Sequence, residues 1–341
     1  VRGEIGRRRF VVLVGGALAL GQLAVIPRRV LAQAVSELAR RFGGLTPLDR
    51  FYVTSYDGTP QIDESRHTLK ITGLVRAPLA LTMAEIRKLA PIEETLTLEC
   101  ISNPPDGDAI GNARWTGVKL KPLLERAGVN AKARWAVMRG ADGYETAVPV
   151  EELYREENFL AYLMDGAPLA PEHGFPLRIM IPGKYGMKQP KWLTEINLVE
   201  REFVGYWERR GWSQSAWRKV NSGFFYPRTP HSSLLRLISP VPRLRAPVDI
   251  VGWALAGPAG VRKVEVSTDG GKSFSEAELI DNRSPYVWTI WHYRFAPVAP
   301  GRYEIRVRAT DGDGVVQPPE DAQTGSGRSG QPRIEIEVEK A

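Results

Sequence analysis

Apolar and polar residues alternate with a period of two along several short stretches of the chain, as half-buried strands do. The first is 67–75 (HTLKITGLV). A helix follows from Thr82, where Glu85 three residues on supplies a capping box, and is expected to run to about Leu89. Alternation returns at 94–100 (ETLTLEC) and puts Leu96, Leu98 and Cys100 on one strand face. A loop rich in Pro, Gly and Asn is expected over 102–112. Further helices are expected at 35–42, at 120–127 with Gly128 as its stop, and from Val150 to about Tyr154. Strands are predicted at 134–139, 176–182 and 193–201.

The pattern changes towards the C-terminus. An aromatic, turn-rich stretch over 203–235 reads as a connector on the surface. Beyond it, short alternating segments at 248–254, 261–267, 286–295, 302–309 and 333–339 are separated by Gly/Asp turns such as 269–271 and 311–314. Strands at that spacing predict a β-sandwich of immunoglobulin type. The Gly/Ser segment 324–330 reads as a flexible loop before the last strand. With 341 residues there is room for two domains, and the fold class is α+β, divided as 33–235 and 236–341.

Residues 1–32 look like an address. Arg7-Arg8-Arg9-Phe10 precede an apolar stretch from Val11 to Ile26, then Arg28-Arg29 and a small-residue cleavage pattern ending at Ala32. The paired arginines match a twin-arginine export signal, which implies a periplasmic or extracellular protein; the other reading is an uncleaved leader acting as a membrane anchor. The leader holds six arginines and one glutamate, five of the seven net positive charges. The basic balance is therefore no argument for nucleic acid as a partner.

Composition narrows the chemistry. A single cysteine, Cys100, excludes intramolecular disulfides, cysteine-clustered zinc and four-cysteine iron–sulfur clusters, and there is no CxxCH for covalent haem. The four histidines are scattered. Cys100 ends a strand and enters a loop, where a thiolate serves as a nucleophile or soft-metal ligand; a lone cysteine is also often a small buried hydrophobe. The run 173–192 (HGFPLRIMIPGKYGMKQPKW) carries Arg178, Lys184, Lys188 and Lys191 after His173 with no acid between, and Gly183 and Gly186 permit close backbone approach. It suits an anion such as phosphate, or is a solvated basic loop. ARWTG at 113–117 offers Trp115 to a pocket or to the core.

Together these segments resemble the sulfite oxidase family of molybdenum–pterin oxidoreductases, from about residue 49 to the end. The resemblance rests on FYV at 51–53, TLECISN at 97–103, AIGNARWTGVKL at 109–120, the 173–192 run and the β-rich tail with VEVSTDGGKSF. It implies a molybdopterin-binding catalytic domain followed by an immunoglobulin-like dimerisation domain. Cys100 would ligate molybdenum beside the pterin's dithiolene sulfurs. Phe51, Tyr52, Val53, Asp142, His173, Arg178, Gln189, Pro190 and Lys191 would hold the pterin and its phosphate, and Lys188 and Trp212 would stand with Cys100 at the reacting centre. No haem domain is visible in this chain, so a separate cytochrome or membrane quinone protein would be the electron partner, and a homodimer would form through the C-terminal sandwich.

Three departures bear on the substrate. Sulfite-oxidising members carry arginine where Thr54 stands, a second arginine soon after the cysteine, where this chain reads SNPPDG, and tyrosine where Trp212 follows Arg209-Arg210-Gly211. Each charge-assisted hydrogen bond to an anion contributes roughly 1.5–3 kcal/mol, so two fewer would weaken sulfite binding by orders of magnitude. The PGKYGMK stretch is also similar to the bacterial branch that reduces sulfoxides. The expectation is an exported molybdenum enzyme transferring oxygen atoms on a small sulfur compound or oxo-anion, with a sulfoxide reductase, a non-catalytic binding protein and a thiol hydrolase as competing readings.

Overall fold

The computed structural model describes residues 44–228, 241–322 and 324–339; the leader and the helix expected at 35–42 lie outside them. Two sheets make the first unit. In one, β1 (Thr68–Gly73) lies between β2 (Leu79–Thr82) and β10 (Leu193–Val199), and β5 (Trp135–Gly140) and β6 (Glu145–Pro149) complete it. The β1–β10 pair is parallel and the others antiparallel. In the other, β3 (Pro91–Glu99), β4 (Ile110–Lys119), β7 (Phe159–Met164) and β8 (Ala167–Pro168) run in that order, with β9 (Arg178–Met180) paired to β7. The core between them joins Leu69, Ile71 and Ile196 to Leu160, Ile179 and the helix side chains Leu123 and Leu124.

Local chemistry accounts for several elements. Helix α1 (Met83–Ile86) has both capping-box bonds: the Glu85 N–H donates to the Thr82 hydroxyl and the Thr82 N–H donates to the Glu85 carboxylate. It is shorter than the expected 82–89 because Met83 and Ile86 are its buried side chains and β3 begins at Pro91. Helix α2 (Lys121–Ala127) ends where Gly128 turns to φ 67°. Helix α3 (Val150–Leu153) follows β6. The loop expected over 102–112 ends early, since β4 begins at Ile110 and pairs in register with β3, Ile110 opposite Glu99. Trp115 on β4 is fully buried, which settles it as a core residue.

The second unit holds the sheets β11–β13–β17–β16 and β12–β19–β18–β14–β15, built from β11 (Asn221–Tyr226), β12 (Arg243–Arg245), β13 (Val248–Leu255), β14 (Val261–Ser267), β15 (Ser275–Glu276), β16 (Glu278–Asp281), β17 (Thr289–Phe295), β18 (Gly301–Asp311) and β19 (Arg333–Glu339). Ile250, Ala254 and Trp291 from the first meet Val264, Val307 and Ile336 from the second in a common core. Two expectations are corrected here. The stretch 203–235 is not all surface connector: β11 pairs with β13, and Phe224 is buried edge-on against Trp291, ring centres 5.8 Å apart. The Gly/Ser segment is not free: Lys219 Nζ donates to the Gly327 carbonyl, Ser329 Oγ to the Val220 carbonyl and the Arg328 N–H to the Ile101 carbonyl. Among the described residues no helix is long and apolar enough to cross a membrane.

Candidate functional site

Where β3 ends, Cys100 leaves the sheet and lines a cavity of about 200 Å³. Its thiol is half-buried, with Sγ 3.2 Å from the Ser102 hydroxyl. Leu98, Ile101, Met187, Trp207 and Trp212 form an apolar wall on that side. The segment Phe51–Tyr56 forms another wall. There Phe51 is clamped by edge contacts to Trp115 and His173 and a stacked contact to Tyr52, with ring centres 5.4–6.0 Å apart. Gly111 makes room for that ring, since a Cβ there would lie 2.7 Å from it. Val53 and Thr54 are exposed at the mouth.

The facing wall is cationic. Arg178 is buried on β9 and donates to the carbonyls of His173 (3.0 Å) and Gln189 (3.4 Å), while its Nε has no partner. Burial pushes its guanidinium down to about 10, still charged at neutral pH. Lys191 Nζ donates to the Glu172 carbonyl, and burial together with Arg178 lowers it to about 8. Lys191 lines the cavity with its Nζ 4.3 Å from the ring centre of Trp192, which holds φ 51° and donates its indole N–H to the Pro171 carbonyl. Burial and the same guanidinium hold His173 below its usual value, so its ring is neutral at pH 7. Asp142, raised by burial, accepts from the Tyr144 N–H, and Gln189 and Pro190 complete the wall. A buried guanidinium without a carboxylate partner among the described residues, with one N–H unused, is a site built for an anion.

The structure therefore brings together Phe51, Tyr52, Val53, Asp142, His173, Arg178, Gln189, Pro190, Lys191, Cys100 and Trp212 around one cavity. It does not bring Lys188. That side chain is fully buried and bonded to Glu208, Thr146 Oγ1 (3.1 Å) and the Ala147 carbonyl (2.8 Å), so its charge is consumed by the fold and it is not at the reacting centre. Lys184 is likewise turned away, paired with Glu152 at 2.8 Å and lying 3.9 Å from the Trp217 ring centre. Of the two glycines, Gly186 lines the cavity, whereas Gly183 packs against Trp217 and Pro258. Ser102, Tyr144 and Trp207 also line the cavity without having been singled out from sequence. Ser102, two residues past the thiol, had the clearest signal.

The donor set fits a metal that brings its own sulfur ligands. Among the described residues no group of three or more His, Cys, Asp or Glu converges to chelate an ion, so the single soft thiol cannot retain a metal unaided. A molybdenum held by pterin dithiolene sulfurs needs one protein thiolate and an anion clamp for the pterin's phosphate, and Cys100 opposite Arg178 and Lys191 offers both.

Comparison with known proteins agrees. Residues 56–207 match the family described as the oxidoreductase molybdopterin binding domain, and 229–335 the Mo-co oxidoreductase dimerisation domain. Sulfite oxidase of Arabidopsis thaliana is 30% identical in an alignment that covers 68% of this chain and 70% of that one. The mitochondrial sulfite oxidase of Mus musculus is 28% identical over 81% of this chain, which spans 58% of the mouse protein's length. The crystal structure of the sulfane dehydrogenase SoxCD from Paracoccus pantotrophus shares the fold, with a TM-score of 0.73 at 23% identity over 87% of this chain and 84% of that one. With a plant relative at that identity across most of both chains, and with two consecutive domains matched, the protein belongs to the sulfite oxidase family of molybdopterin-dependent oxidoreductases and takes the molybdenum–pterin cofactor.

Proposed function

We propose that the protein catalyses two-electron oxygen-atom transfer on a small sulfur-containing or oxo-anion substrate. The observation that carries this reading is the chain's sole thiol lining the same cavity as a buried guanidinium that has no carboxylate partner among the described residues. When bound, the cofactor supplies a metal that exchanges one oxygen atom and two electrons with the substrate. The chain's own residues do the rest. Cys100 holds the metal as a thiolate. Arg178 and Lys191 clamp the phosphate, and neutral His173 donates or accepts a hydrogen bond beside them. Asp142, Gln189 and Pro190 would help hold the pterin. Tyr52 and Val53 close the other side. Oxidation balances as substrate plus water giving oxygenated substrate, two protons and two electrons; reduction is the reverse.

The mouth of the cavity favours an organic sulfur compound over sulfite. Thr54 and Trp212 line it, and the two arginines shortly before Trp212 are engaged elsewhere: Arg209 with the Val204 carbonyl and Glu145, Arg210 with the Tyr206 carbonyl and ring. The apolar wall of Ile101, Met187, Trp207 and Trp212 supports sulfoxide reduction as the second reading. We propose further that the chain is exported through its twin-arginine leader, passes electrons to a separate cytochrome or quinone protein, and dimerises through an immunoglobulin-like second unit.

The test is a steady-state screen of the metal-loaded protein, sulfite with ferricyanide against methyl phenyl sulfoxide with reduced viologen. Turnover of either with about one molybdenum per chain supports the reading. Fully loaded protein inert to both, or no molybdenum in protein matured with cofactor present, overturns it.

A further inference from the structure

We infer that Ser102 is a positioning residue for the metal-bound sulfur: its hydroxyl donates to the Cys100 thiolate and raises the reduction potential of the molybdenum. This rests on the reading of Cys100 as the metal's protein ligand. The hydroxyl stands 3.2 Å from Sγ and lines the same cavity. In the free thiol either atom can donate. A thiolate that has given up its proton to bind metal only accepts, so the hydroxyl becomes the donor.

The geometry is built rather than incidental. The Asn103 N–H donates to the Cys100 carbonyl at 3.0 Å, closing a four-residue turn with Ser102 in its third position. That turn is fastened from several directions. The Cys100 N–H donates to the Ala109 carbonyl at 2.9 Å, and the Ala109 N–H returns a bond to Asn103 Oδ1 at 2.9 Å. Asn103 Nδ2 donates to the buried Glu99 at 3.1 Å, and the Arg328 N–H reaches over from the second unit to the Ile101 carbonyl at 3.3 Å. Gly107 leaves room for the asparagine, where a Cβ would lie 2.4 Å from Asn103 Oδ1. The backbone that carries Ser102 is thus fixed, and its exposed hydroxyl stands beside the half-buried thiol that takes the metal.

A hydrogen bond to a ligating sulfur draws electron density away from it. The sulfur then donates less to the metal, and the reduced metal is favoured. Ser102 accordingly assists the half-reaction in which the metal accepts two electrons.

The experiment compares holoenzyme of the wild type with Ser102→Ala, with Ser102→Thr and Ser102→Val, which share a shape and differ in the hydroxyl, and with Cys100→Ser. Redox titration gives the midpoint potential, and absorption spectra give the sulfur-to-molybdenum charge-transfer band. The alanine and valine variants are expected to keep their molybdenum, show a lower midpoint potential and move the band to longer wavelength; threonine restores both. Wild-type potential and band position in the valine and alanine variants overturn the inference. A Cys100→Ser protein that retains the metal and the band overturns the ligand reading itself, so the two failures are told apart.

Discussion

The guanidinium of Arg178 lies 5.1 Å from the centre of the Trp115 ring, with Nε unpartnered, so a buried tryptophan and two carbonyls hold a charge that no carboxylate among the described residues neutralises. Isolated buried charge is unfavourable, and a bound anion offsets it. Arg178→Ala is expected to lose molybdopterin, with affinity down by at least roughly 10–100-fold, the loss for one charge-assisted hydrogen bond of about 1.5–3 kcal/mol. Pterin fluorescence and molybdenum content after gel filtration check this. Lysine at 178 keeps the charge without the planar fork and should recover part of the loss. Full occupancy in the alanine variant would count against the clamp.

Cys100→Ser is expected to abolish turnover while leaving the fold in place. The side chain is half-buried at a cavity wall, so replacing sulfur by oxygen leaves no void, and no core contact depends on it. Near-ultraviolet circular dichroism should match the wild type. Turnover that survives would refute the ligand assignment.

The elements that could be read from sequence were those whose signal is local. Gly128 stops α2, Thr82 and Glu85 cap α1, and β1, β10, β13 and β14 announce themselves by alternation or by their flanking turns. β7, FLAYLM, carries almost no polar residue to set a period, because it lies between β4 and β9 and is buried on both faces. β11, NSGFFY, reads as turn and aromatic surface until its partner β13 is known. Within the site, Cys100, Arg178 and Lys191 were legible because their chemistry needs few neighbours. Lys188 was misread for the opposite reason: no acid lies near it in the run 173–192, and its partner Glu208 is twenty residues on. The Gly/Ser loop misleads in the same way, since the Gly327 carbonyl and the Arg328 N–H make ties that composition does not encode.

Lys188 should therefore behave as a stability residue. Removing one partner of a buried ion pair strands the other and costs about 3–5 kcal/mol, whereas replacing both by apolar groups of similar size costs far less. Lys188→Met alone is expected to lower the denaturant midpoint sharply, and the double variant Lys188→Met with Glu208→Leu to recover most of it. Urea unfolding followed by fluorescence measures both. A single variant as stable as the wild type but slow in turnover would return Lys188 to the chemistry.

Thr54→Arg should create sulfite affinity. Thr54 is exposed at the mouth of the cavity, so an arginine has room to extend without displacing core atoms. One new charge-assisted contact of roughly 1.5–3 kcal/mol raises kcat/KM for sulfite by about 10–100-fold. Trp212→Tyr in the same background should add a hydroxyl where the indole stands. Unchanged sulfite kinetics in both would show that these positions do not set the choice of substrate.

The cationic wall also sets a pH dependence whose sign can be worked out. Burial and Arg178 lower Lys191 to about 8, whereas Arg178 keeps its charge to about 10. A phosphate between them favours the charged lysine, so binding above pH 8 requires Lys191 to take up a proton. Affinity of the cofactor-free protein for pyrophosphate should be flat below 8 and fall by up to about tenfold per pH unit above it. Stability of the empty protein runs the other way. Between 8 and the unfolded lysine's value of about 10.4 the native state holds fewer protons than the unfolded chain, so this group's contribution rises with pH across that window and is constant below it. Lys191→Met should flatten the binding slope and remove this rise. Titration calorimetry with pyrophosphate from pH 7 to 9.5 on both proteins decides the first point, and thermal unfolding over the same range the second. An identical binding slope in the wild type and the methionine variant would place the responsible proton elsewhere.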